Sequence, residues 1–86
     1  MNVRESVKLT RNLLFEYKIE QFIQNVVSLI EYASQTLSDN KLFLEIIECM
    51  EIGFNNEDYL FVGDLLQFEL QPLMESMGEH ANDFIH

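Results

Sequence analysis

The sequence predicts an all-α fold, a small up-and-down bundle of four helices, on three observations. Apolar residues recur at three- and four-residue intervals nearly throughout, the period of one face of an α-helix. Three glycines and one proline in 86 residues are too few for a chain of short strands joined by turns. The breaks between periodic runs are short, and short connections make consecutive helices antiparallel neighbours. The alternative is three helices, with the first two joined as one long, bent helix. A chain of this length makes a single domain, residues 1–86, with one core.

The first predicted helix runs roughly from Val3 to Tyr17, with Val3, Val7, Leu13, Leu14 and Tyr17 on one face and Arg4, Lys8 and Arg11 in a stripe beside it. The second, roughly Ile19 to Leu37, has the cleanest pattern. Ile19, Phe22, Ile23, Val26, Val27, Leu29, Ile30, Ala33 and Leu37 face one way, and Gln21, Gln24, Asn25, Ser28, Glu31 and Gln35 the other. The apolar phase slips near Tyr17–Glu20, which separates or bends the two, although no glycine or proline marks the place. Ser38-Asp39-Asn40 supplies a turn and an N-cap for the third helix, Lys41 to Ile52, because short polar side chains accept the orphan amide hydrogens of a helix start. That helix turns Leu42, Phe43, Ile46, Ile47 and Met50 inward and Lys41, Glu45, Glu48 and Glu51 outward. Gly53, which adopts positive φ without steric cost, is the expected stop.

The fourth predicted helix, Asn55 to Met77, opens with Asn55 and Asp58 in a weak capping arrangement. It carries two apolar stripes. Tyr59, Val62, Leu66, Leu70, Leu73 and Met77 form a broad face, and Phe61, Leu65, Phe68 and Pro72 form a second, roughly opposite. A helix that only covers a core needs one stripe. The second means either packing on both sides or a face left over for a partner. Pro72 lacks an amide hydrogen and should kink the helix or end its regular part. Gly63 costs about 1 kcal/mol relative to alanine in mid-helix, so the close approach of a neighbouring helix is expected there. The tail after Gly78 is short and expected to fray unless Phe84 and Ile85 dock.

Charge is segregated along the chain. The net charge of −10 divides into +2 through Lys18 and −12 from Ile19 onward. Such an acidic surface disfavours nucleic acid and anionic lipid as partners and suits a basic one, or serves solubility alone. No apolar run reaches the 18 or so residues that span a bilayer, and the N-terminus has no signal-like apolar core, so a cytoplasmic location is expected. The single cysteine, Cys49, agrees with a reducing compartment.

Catalytic chemistry is sparse in the sequence. His80 and His86 both lie in the tail. Cys49 falls at the edge of an apolar face with no nearby His or Arg to lower its pKa. Glu45, Glu48 and Glu51 share a helix face, but the Glu-x-x-His pairing of a di-iron bundle is absent. They read as a solvated acidic face, or as a charge zipper opposite Arg4, Lys8 and Arg11 worth tenths of a kcal/mol per exposed pair. The glycines are isolated and form no phosphate loop. No enzyme, cofactor or metal is expected.

The run Asn56-Glu57-Asp58-Tyr59-Leu60, followed by Gly63-Asp64-Leu65-Leu66-Gln67-Phe68-Glu69-Leu70-Gln71-Pro72-Leu73, resembles a pattern in small acidic helical proteins of Gram-positive bacteria. There an Asp-Tyr pair precedes Asp-Leu-Leu, an aromatic, Glu-Leu and Pro-Leu-Leu. Here Phe68 stands where Tyr is commoner, Gly63 replaces a usual Ala, and Met74 replaces the last Leu. The match covers about 18 residues, and the rest agrees only in helical patterning. The resemblance implies a bacterial source and no particular activity.

Two functions are therefore expected, neither enzymatic. One is an adaptor, chaperone-like or regulatory module that binds a protein, or its own copy as a homodimer, through Phe61, Leu65, Phe68 and Pro72 with Asp64 at the rim. The other is an acidic inhibitor of a basic target, such as an immunity protein or nucleic-acid mimic.

Overall fold

A computed structural model of the chain describes residues 2–76 and is all-α, with four helices: α1 Val3–Phe15, α2 Ile19–Leu37, α3 Lys41–Asn55 and α4 Tyr59–Leu65. α4 continues through a π turn, Leu66–Leu70, into a further stretch of α-helix over 71–76. The expectations for Met77, Gly78, His80, Phe84, Ile85 and His86 lie outside the described residues.

The break between α1 and α2 falls where the apolar phase slips. Tyr17 takes the left-handed conformation, φ 60°. The Lys18 amide donates to the Leu13 carbonyl at 2.9 Å and the Tyr17 amide to Leu14 at 3.1 Å, the paired bonds that close a helix C-terminus. α3 ends in the same way. Glu57 has φ 56°, the Asp58 amide donates to Gly53 at 2.8 Å, and that of Glu57 donates to Phe54 at 3.1 Å. Neither left-handed residue is glycine, so each corner stores about 1–2 kcal/mol of strain.

These corners correct three expectations. Tyr17 belongs to no apolar face and is 89% exposed at its corner. Gly53 does not stop α3 with a positive φ; the helix runs on to Asn55, and Glu57 makes the turn. Asp58, rather than Asn55, caps α4 by accepting the Phe61 amide at 3.2 Å. The Asn40 cap of α3 is as expected, its side chain accepting the Phe43 amide at 3.0 Å.

α2 contributes Phe22, Val26, Leu29, Ala33 and Leu37 to the core, and α3 contributes Phe43, Ile46 and Met50. Val62, Leu66, Leu70 and Met74 enter from the last helix and Val7 from α1. The buried stripes are narrower than periodicity suggests, since Val27 and Leu42 are exposed. Thr10 is buried too, its hydroxyl donating to the Ser6 carbonyl one turn back at 2.7 Å.

Pro72 neither ends the last helix nor breaks it. It has no amide hydrogen to give the Phe68 carbonyl, and the widened turn just before it absorbs the mismatch. There the Gln71 amide reaches back five residues to Leu66. The extra residue in that turn shifts the buried phase, so Met74 enters the core and Leu73 stays half-buried.

Candidate interaction site

The last helix and α1 run antiparallel, pinned by two ion pairs. Arg4 meets Glu75 at 3.1 Å near one end and Arg11 meets Asp64 at 3.1 Å near the other. Arg4 and Arg11 therefore serve the last helix rather than Glu45, Glu48 and Glu51 of α3, which stay exposed. Each pair is partly exposed, and pairs of this kind contribute about 0.2–1 kcal/mol.

Gly63 explains how α1 comes so close. A Cβ there would lie 3.3 Å from Leu14 Cδ1 and 3.5 Å from Arg11 Nε. The missing side chain leaves a notch in which the Arg11 stem rests. From it the guanidinium donates to Asp64 and stands 6.0 Å from the centre of the Phe68 ring. One arginine thus meets two residues spaced i, i+4 on the last helix.

The second apolar stripe faces outward for most of its length. Phe68 is 63% exposed, Phe61 39%, and Pro72 and Asp64 are exposed. Leu65 is half-buried and packs against the core, so it forms the inner edge of the stripe. Phe61 also leans over Gly53, where a Cβ would meet its ring at 3.1 Å. Val62, Leu66 and Leu70 on the opposite face have no exposed surface. Periodicity does not assign Arg11 to this face; its only sequence sign is the basic stripe of α1.

Glu75 is held below the usual glutamate range, first by the Gln71 amide donating to it at 3.2 Å, then by the Arg4 guanidinium, with partial burial opposing both. A carboxyl depressed in the folded state contributes stability that is present above its unfolded pKa and lost as pH falls through the folded one. Carboxyl-detected NMR titration should therefore find the Glu75 midpoint below the ordinary range, and Gln71→Leu should raise it. An unchanged midpoint in the variant would remove the amide as the cause.

Among the described residues no three His, Cys, Asp or Glu side chains converge as metal ligands, and no helix is long and apolar enough to cross a membrane. Cys49 is half-buried. Fold and surface together define a small acidic four-helix bundle with an outward aromatic face. Comparison with protein-family models, curated proteins and solved structures finds no match.

Proposed function

We propose that this protein acts by contact, as a non-enzymatic interaction module whose last helix binds a protein partner or a second copy of itself. Phe61, Phe68 and Pro72 supply the apolar anchors, Leu65 the inner edge and Asp64 the rim. The observation that carries this reading is Phe68, 63% exposed on a helix that buries Val62, Leu66 and Leu70 completely on its other face. Aromatic anchors ringed by polar groups concentrate binding energy at protein interfaces. Arg11, 6.0 Å from the centre of that ring, adds a cationic edge to the anchor.

Light scattering over rising concentration tests the self-association form. The wild-type mass should rise above 10.2 kDa while Phe68→Asp stays monomeric, with little dependence on salt. A monomeric wild type at every concentration would exclude the homodimer and leave only a foreign partner.

The second reading, an acidic inhibitor of a basic target, draws support from Glu45, Glu48 and Glu51, which are exposed and make no ion pair among the described residues. It expects affinity for a basic protein to fall steeply with salt, because exposed charges are screened beyond roughly 8 Å at physiological ionic strength.

A further inference from the structure

Between the two ion pairs that pin α1 to the last helix lies a cavity of about 360 Å³, within the range of small-molecule sites. Arg4, Lys8 and Arg11 line it, three of the five cationic residues in a chain of net charge −10. Arg4 and Arg11 are engaged at the two ends by Glu75 and Asp64. Lys8, between them, makes no ion pair among the described residues. Val7 and Phe15 give the wall its apolar part, and Asn12, Gln67 and Gln71 contribute amides. The last two come from the π turn and the residue after it, where the helix is widened, and such turns occur frequently at functional sites.

A second, independent observation falls on the same wall. The buried side-chain polar atoms without a hydrogen-bond partner among the described residues are Arg11 Nε, a donor, and Gln67 Oε1, an acceptor. Unmet buried polar groups are rare and call for a reason. Arg11 Nε is turned into the Gly63 notch, whereas the Gln67 acceptor belongs to a side chain that lines the cationic cavity.

We infer that this cavity binds a small carboxylate that carries an O–H or N–H donor on the adjoining carbon and an apolar side chain. The carboxylate meets Lys8 and the guanidinium of Arg11, and the neighbouring donor meets Gln67 after a small turn of its amide. The apolar part lies on Val7 and Phe15. A dianionic phosphate fits less well, because Asp64 and Glu75, held at the two ends by Arg11 and Arg4, repel its second charge. This site adjoins the aromatic face, and its existence does not depend on that face having a partner. The same chemistry belongs to a free α-amino or α-hydroxy acid and to the C-terminal residue of a polypeptide.

Amide-detected NMR titration of the whole chain tests the inference, with leucine, N-acetyl-leucine, N-acetyl-leucinamide, 4-methylpentanoate and inorganic phosphate as probes. Leucine or N-acetyl-leucine should give saturable shifts at Val7, Lys8, Asn12 and Gln67. N-acetyl-leucinamide, which lacks the carboxylate, 4-methylpentanoate, which lacks the donor, and phosphate should bind markedly less. Tighter binding of N-acetyl-leucine points to a polypeptide C-terminus, and tighter binding of leucine to a free acid. Lys8→Met, at an exposed position, should keep the fold and weaken binding about tenfold. Gln67→Leu should remove the preference over 4-methylpentanoate. No saturable shift with leucine or N-acetyl-leucine, or equal shifts with the amide or with phosphate, would overturn the inference.

Discussion

Phe22→Ala is expected to lower the unfolding free energy by about 3–5 kcal/mol, the cost of removing a buried aromatic ring and leaving a cavity. Phe22 is completely buried. It meets the Tyr59 ring edge-on at 6.3 Å, and Tyr59 in turn packs on Phe54 at 6.4 Å, so one ring joins the starts of α2 and α4 to the end of α3. An 86-residue domain has only about 4–13 kcal/mol to lose, at roughly 0.05–0.15 kcal/mol per residue. The variant should lose a large share of that stability at 25 °C. Urea denaturation followed by circular dichroism measures this, and a loss below about 1 kcal/mol would mean that the corners do not meet through this ring.

The second large effect is expected at Gly53. An added Cβ would lie 2.7 Å from Val62 Cγ2 and 3.1 Å from Phe61 Cδ2. Val62 is fully buried and β-branched, so it has no room to turn aside. Gly53→Ala should cost about 1–3 kcal/mol through overpacking. Gly63→Ala is the contrasting case. Its nearest neighbour is the flexible end of Leu14 at 3.3 Å, and alanine gains about 1 kcal/mol of helix propensity. It should be neutral or stabilising. If the two glycines responded alike, α3 and α1 would be equally close to the last helix, contrary to the geometry.

Most of the fold was readable because the α2 and α3 patterns are strong and the turn at Asn40 uses ordinary capping chemistry. The corners were harder to read. Their left-handed residues are Tyr17 and Glu57, which carry no signal of positive φ, whereas Gly53, which does, serves close packing instead. Pro72 announced a disturbance, but its resolution as a π turn, and the resulting exchange of Leu73 for Met74 in the core, depends on tertiary packing. The double stripe posed whether Phe61 and Phe68 face outward or pack against a second neighbour, and left the choice to tertiary structure. The placing of Arg11 beside Asp64 and Phe68 was not legible either, because it needs the relative position of two helices 53 residues apart in sequence.

The account rests on the Phe68 face lying outside the core of the monomer. Denaturant unfolding of Phe68→Asp against wild type, at a concentration where both are monomeric, tests this most directly. The predicted change is within about 1 kcal/mol, since only a contact with Arg11 is lost and a new carboxylate is placed beside that cation. A loss of about 3 kcal/mol or more, the value for a buried ring, would contradict it.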